Sequence, residues 1–118
     1  MSYDSSLAEG GSIVYEPIMS RSKKVRFYIP TTKDGAEDVV DEVVIRLSNL
    51  FGGATTLPAK GAYVMNDGEL VREEVTLVES FHTDMKTADL TQVALQIKDA
   101  LNEEAVAFEV EQIESAFV

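Results

Sequence analysis

The fold is decided by residues 54–82, ATTLPAKGAYVMNDGELVREEVTLVESFH. Two apolar-rich segments flank Asn66-Asp67-Gly68, a triplet that is typical of a tight turn between paired strands. We therefore predict a β-hairpin. Its first strand runs from Ala54 to Met65, with a bulge or kink at residues 58–61, and its second strand runs from Leu70 to about His82.

An amphipathic helix is predicted on each side of this hairpin. Asp34 with Glu37 three residues later is a capping pattern for the first helix, and Gly52-Gly53 follows its last apolar residue. Asp89 with Gln92 repeats the capping pattern for the second helix. The apolar stripes are Val39, Val40, Val43, Val44, Leu47, Leu50 and Phe51 in the first helix, and Leu90, Val93, Ala94, Ile97 and Leu101 in the second.

Two further strands complete the predicted domain. Lys24–Pro30 alternates apolar and polar residues, and Ala105 to about Ile113 does the same. The order β-α-β-β-α-β predicts an α+β fold of ferredoxin-like type, a four-stranded antiparallel sheet with two helices on one face. Residues 23–118 form this domain. Residues 1–22 form an N-terminal arm that we expect to pair with a sheet edge or to be exchanged between subunits.

Composition limits the functions that remain open. The 118 residues suit one domain, and the absence of cysteine excludes disulfides and thiolate chemistry. A formal charge of −11 disfavours direct binding of nucleic acid, and fits either solubility or docking onto a basic protein. No apolar run is long enough for a membrane span and no secretory leader is evident, so we expect a cytoplasmic protein that does not bind membranes.

The predicted sheet has one face that the helices leave open. Such a face must meet water, a partner or a ligand. Its apolar and aromatic content favours a homo-oligomer, with a small-molecule effector as a possible further partner. The candidate ligand or interface residues on this face are Arg26, Tyr28, Tyr63, Met65, Arg72, Val78 and His82. Glu73 and Glu79 fall in the opposite, inward row of the third strand.

No catalytic, cofactor or metal motif is evident. His82 is the only histidine, so no multi-histidine metal site can form, and no nucleophile-elbow motif accompanies it. Gly52-Gly53 lacks the Lys-Ser/Thr pair of a phosphate-binding loop and closes a helix instead of opening one. We therefore expect no cofactor and assign no catalytic residue.

The chain resembles known proteins at the level of its layout. Phe51-Gly52-Gly53-Ala54-Thr55, with Gly61 and Tyr63, is similar to small uncharacterised ferredoxin-like proteins, phage-encoded ones among them. Within residues 24–113 the order of elements also resembles the PII-like signalling proteins. Those are trimers that bind small effectors between subunits and present a loop corresponding to residues 60–72. The resemblance includes no residue-level motif, so it implies no particular binding residue.

Three functions are compatible with the sequence. The first is a non-enzymatic binding or regulatory module that self-associates through its sheet face. The second is an acidic interaction protein, such as a phage-type antagonist or nucleic-acid mimic, that docks on a basic partner. The third, and least favoured, is a dimeric α+β-barrel enzyme that uses His82 as acid or base.

Overall fold

The computed structural model describes residues 21–83 and 86–118, together with the backbone strands at residues 5–7 and 13–15. No helix in these residues is long and apolar enough to cross a bilayer. The elements in chain order are β1 (Ser5–Leu7), β2 (Ile13–Tyr15), β3 (Lys23–Pro30), α1 (Ala36–Phe51), β4 (Thr55–Val64), β5 (Leu70–His82), α2 (Thr87–Leu101) and β6 (Phe108–Gln112).

Strands β3 to β6 form one antiparallel sheet in the order β4-β5-β3-β6. Alternation in β3 directs Val25, Phe27 and Ile29 toward the helices, where each is fully buried. The predicted ferredoxin-like α+β fold is confirmed. The helices complete the core with Ala36, Val39, Val43, Leu47, Leu90, Val93, Ala94, Ile97 and Leu101.

Both helices start differently from the prediction. Helix α1 follows Gly35, which has φ 82, and α2 follows Lys86; neither residue makes a side-chain capping bond. The predicted caps at Asp34 and Asp89 are therefore wrong. Gly35 turns the chain into α1 through a left-handed conformation that glycine adopts without strain. Asp89 lies inside the first turn of α2, where its carboxylate interacts favourably with the helix dipole.

The helix ends depend on left-handed residues. Gly52 has φ 96, and its N–H donates to the Ser48 carbonyl at 2.8 Å, so the predicted glycine ending of α1 is confirmed. Asn102 ends α2 with φ 51. The Lys33 Nζ donates to the carbonyl of Leu101 at 2.8 Å, which satisfies one of the last free carbonyls of α2.

Strands β4 and β5 pair residue for residue over the full length of β4, so the predicted bulge at residues 58–61 is wrong. Pro58 is accommodated because β4 is an edge strand, where a residue without an N–H need not break the ladder. The predicted turn is confirmed: the Met65 N–H donates to the Glu69 carbonyl at 2.8 Å, and Gly68 takes φ 87.

The two ends of the chain differ in part from the prediction. Strand β6 occupies only part of the segment from Ala105 to Ile113. In the arm, β2 pairs with β1 as an antiparallel two-stranded sheet, separate from the four-stranded sheet. The rest of the arm, residues 1–4, 8–12 and 16–20, lies outside the described residues. Exchange of the arm between subunits stays a prediction.

The ending of α1 provides a stability test. We expect Gly52→Ala to lower the free energy of unfolding by about 1 kcal/mol, because an alanine at this positive φ is strained. Gly53→Ala is the matched control. Gly53 has no positive φ, and a Cβ added there would meet no atom within 4 Å, so its variant should stay within about 0.5 kcal/mol of wild type. Urea denaturation measures both, and equal losses would contradict the proposed role of Gly52.

Candidate functional site

The register between β3 and β5 fixes which side chains share a face of the sheet. Phe27 of the core lies opposite Val78, so the even-numbered residues of β5 face the helices. Arg26 lies opposite Glu79 on the other face, which we call the outer face. Its members include Lys24, Arg26, Tyr28, Leu57, Tyr63, Val75, Leu77, Glu79, Phe81, Glu109 and Glu111.

The predicted candidate residues divide between the two faces. Arg26, Tyr28 and Tyr63 lie on the outer face as predicted, and Met65 lies in the turn beyond β4. The placement of Arg72, Val78 and His82 on that face is wrong, because all three belong to the row that faces the helix side. Strand β5 carries apolar residues in both rows, and an error of one residue exchanges the faces.

His82 is a core residue. It is only 1% exposed, and its ring centroid lies 5.2 Å from that of Phe51. A side chain buried on the helix side of the sheet cannot touch a substrate bound at the outer face. The geometry therefore opposes the enzyme prediction that gave His82 an acid or base role.

A row of charged groups crosses the outer face. The Arg26 Nε and Nη2 bond the Glu79 carboxylate at 2.7 and 2.6 Å, and its Nη1 bonds Glu109 at 2.6 Å. The Tyr28 hydroxyl donates to the same Glu109 oxygen at 2.5 Å, and the Lys24 ammonium lies 3.5 Å from Glu79. We call these five residues the charged row.

Glu79 has a place that the sequence prediction missed. It was assigned to the inward row, but it lies on the outer face and is 5% exposed. A buried carboxylate is stable only when it is paired, and Arg26 and Lys24 supply the two cations. Charge pairing across neighbouring strands could have located it in the sequence. Once Arg26 is placed on the outer face, an acidic residue is the expected neighbour opposite it.

The charged row sets the protonation of its members. The hydrogen bond from Tyr28, followed by that from Arg26, lowers the pKa of Glu109. The Glu109 carboxylate in turn raises the pKa of Tyr28, because the phenol donates to it. The hydrogen bonds that Arg26 donates to Glu109 and Glu79 raise the pKa of Arg26, so this guanidinium stays charged.

Across residues 21–83 and 86–118, no three acidic or histidine side chains are grouped to hold a metal ion.

The hairpin extends past β3. Pairing of β5 with β3 stops at Val75 opposite Pro30, so residues 60–64 and 70–74 form a two-stranded ribbon. This ribbon and its turn expose four large apolar side chains: Tyr63 by 53%, Val64 by 65%, Met65 by 47% and Leu70 by 48%. Tyr63 belongs to the outer-face row, whereas Val64 and Leu70 lie opposite each other in the other row. The ribbon therefore exposes large apolar side chains on both sides, next to charged ones.

Comparisons with known proteins give similarity of fold. No protein-family model matches the sequence, and neither does any curated protein. A phage SAM lyase in complex with S-methyl-5'-thioadenosine matches with a TM-score of 0.60 and 17% identity, over 85% of this chain and 89% of that one. CutA1 from Pyrococcus horikoshii matches with a TM-score of 0.53 and 14% identity, over 80% and 85%.

A third solved structure has the same fold within a larger chain. A Bacillus cereus protein related to NIF3 matches with a TM-score of 0.54 and 19% identity, over 86% of this chain but only 28% of that one. At these identities the likeness shows the fold alone. It agrees with the strand order and helix positions described above.

The charged row provides a test by titration. In Tyr28→Phe we expect the pKa of Glu109 to rise toward its ordinary value, because the largest cause of its lowering is removed. Carbon-detected NMR of the Glu109 carboxyl measures this, and Tyr63→Phe is the control, since Tyr63 makes no contact with that carboxylate in the described structure.

The same variant should change how stability depends on pH. A lowered pKa means that Glu109 contributes stability above its unfolded-state pKa, and that this contribution is lost as the pH falls through the folded-state pKa. Wild type and Tyr28→Phe should therefore converge in stability at acid pH. An unchanged Glu109 titration in Tyr28→Phe would show that the hydrogen bond does not hold in solution.

Proposed function

We propose that this chain is a self-associating domain that binds a small molecule of the S-adenosyl nucleoside class. The observation that carries self-association is the ribbon at residues 60–64 and 70–74, with large apolar side chains exposed on both sides. The outer face and the fold likeness to a SAM lyase support the ligand class.

The ribbon is poorly suited to stand alone in water. An isolated two-stranded hairpin is marginally stable at best, because neither face is covered. Strand β4 is also an edge strand of 10 residues, so one side of its backbone has no partner strand in the described structure. Long apolar edges are sites where another chain adds a strand or packs against the sheet.

A second copy of the chain is the occupant that fits best. Most soluble oligomers are built from identical chains with closed symmetry, and a ribbon that exposes large apolar side chains on both sides can contact two neighbours around one axis. Lys60 and Arg72 lie on this ribbon with the acids Glu73 and Glu74, and Glu69 lies in its turn. Symmetric copies can therefore place opposite charges near each other at the rim, despite the net charge of −11.

The ligand class is proposed from the fold likeness together with the outer face. A phage SAM lyase that shares the fold over most of both chains is solved with S-methyl-5'-thioadenosine. The outer face supplies tyrosines, a charged arginine and carboxylates, which are groups suited to a polar nucleoside carrying an amino-acid tail. Arg26, Tyr28 and Tyr63 are the sequence-predicted candidates that remain on this face.

We expect Val64→Lys combined with Leu70→Lys to convert the oligomer to a monomer, because the two lysines would be buried unpaired in the interface. Native mass spectrometry measures the state. Ile45→Lys is the matched control, since Ile45 is an equally exposed apolar residue, 60% exposed, but lies on α1. A monomeric wild-type protein would overturn self-association, and salt-sensitive capture of a basic protein would favour the acidic docking alternative instead.

Cleavage of S-adenosylmethionine is the second candidate, and the fold match to a SAM lyase is the observation that favours it. The thioadenosine in that complex equals S-adenosylmethionine without its four-carbon amino-acid fragment. Releasing this fragment breaks the bond from sulfur to Cγ, and the electron pair neutralises the sulfonium. The substrate's own carboxylate can form the new bond at Cγ and close a lactone. Such a step needs positioning and no enzyme nucleophile, so it requires no catalytic triad.

Binding and cleavage are separated by one experiment. We expect calorimetry to show saturable binding of S-adenosylmethionine by the wild-type oligomer, since this is the ligand class proposed. Chromatography of the same mixture then distinguishes the two functions: intact ligand supports a binding module, and accumulation of S-methyl-5'-thioadenosine supports a lyase. Guanosine serves as the control nucleoside. Absence of binding and of turnover would overturn the proposed ligand class.

A further inference from the structure

A pocket lies where helix α1 ends beside the last residues of β5. It has a volume of about 470 Å³, which is within the range of about 300–1,000 Å³ that small-molecule sites occupy. Its lining includes Arg21, Phe51, Gly53, Glu79, Phe81 and Phe117. The pocket is at the opposite end of β5 from the ribbon, so it is distinct from the apolar surface proposed for assembly.

The pocket is held open by the residues that end α1. Gly52 and Gly53 carry no side chain, and a Cβ at either position would meet no atom within 4 Å. The Ser80 hydroxyl donates to the Gly53 carbonyl at 2.6 Å, which fixes this turn against β5. Ser80 is only 2% exposed, so its hydrogen bond is shielded from water. The space is therefore a built feature of the turn.

Aromatic side chains form much of the wall. The rings of Phe81 and Phe117 meet edge to face with centroids 5.7 Å apart, and Phe51 contacts the ring of His82 behind it. The Lys24 ammonium already lies over the Phe81 ring at 5.1 Å. Phe117 is 42% exposed and so keeps accessible ring surface. Such walls suit a flat heteroaromatic ring.

The charges of the pocket favour an anionic group on the ligand. The Glu79 carboxylate is already bonded to Arg26 and lies 3.5 Å from Lys24. The Arg21 guanidinium makes no salt bridge with any acid of the described residues. It is therefore available to a carboxylate or a phosphate, both of which match its planar donor geometry.

We propose that this pocket binds an adenosine derivative that carries an anionic group, with the ring against the phenylalanines and the anion at Arg21. This assignment rests on the ligand class given under the proposed function, and it places that ligand at the end of the outer face formed by Glu79 and Phe81 instead of at Arg26, Tyr28 and Tyr63. The carboxylate of S-adenosylmethionine and the phosphate of AMP are the two sources of the anion.

Two variants test the pocket by calorimetry with S-adenosylmethionine, AMP and adenosine as probes. Arg21→Gln should weaken binding of S-adenosylmethionine or AMP by about tenfold or more, and leave the weaker binding of adenosine unchanged. Arg46→Gln is the matched control, because it removes the same charge from an arginine on α1 that bonds Gln96 and does not line the pocket. Whichever of the two anionic probes loses more affinity in Arg21→Gln identifies the source of the anion.

The second variant fills the space. Gly53→Leu should abolish binding of all three probes while leaving the oligomer and the thermal unfolding midpoint close to wild type, because that position has open space and no positive φ. If wild type binds S-adenosylmethionine and both variants bind it equally well, the pocket assignment is overturned and the proposed function stands. If wild type binds none of the probes, both the ligand class and the pocket assignment fail.

Discussion

The pairing register of β3 with β5 is the constraint on which the rest of the structure depends. It places Phe27 opposite Val78 on the helix side and Arg26 opposite Glu79 on the outer side. Phe27 and Val78 belong to the core that packs against α1 and α2, and the Glu79 carboxylate is buried beside the Arg26 guanidinium. A shift of one residue would bring Glu79 under the helices and expose Val78. Since an unpaired buried charge costs several kcal/mol, roughly 3–5 where it has been measured, this pair opposes the shift together with the apolar core.

Much of the fold follows from local sequence patterns that are compatible with only one backbone conformation. Glycine at the end of α1 and the turn at Asn66-Asp67-Gly68 each require a specific backbone, and both occur as predicted. The apolar stripes of the helices are also buried or half-buried as predicted, except Leu50, which is 49% exposed. The helix starts differ from the prediction. At α1 the left-handed backbone of Gly35 begins the helix, where a hydrogen bond to the Asp34 side chain was expected. Pro58 suggested a bulge, yet an edge strand accommodates proline without one. In both cases tertiary position decides between two local options.

The candidate site was less predictable, for a reason that lies in β5. Val75 and Leu77 occupy the outer row, while Val78 occupies the inner row together with Ser80 and His82. Burial does not separate these rows, because Val75 is 8% exposed on the outer side and His82 is 1% exposed on the inner side. Apolar character alone therefore favours the wrong face. Charge is the better guide in this strand, since Glu79 has a cationic partner on only one face of β3.

The two regions proposed for assembly and for ligand binding share strand β5. This strand carries the ribbon at its start and lines the pocket at its end, where Glu79 is part of the lining. Its carboxylate lines the pocket and accepts from Arg26, which also holds Glu109 and thereby Tyr28. An anion bound near Arg21 would change the electrostatic field at Glu79, and this field extends along the charged row. Occupation of the pocket would therefore act first on Glu79 and its bonded partner Arg26, at the end of β5 that lies away from the ribbon.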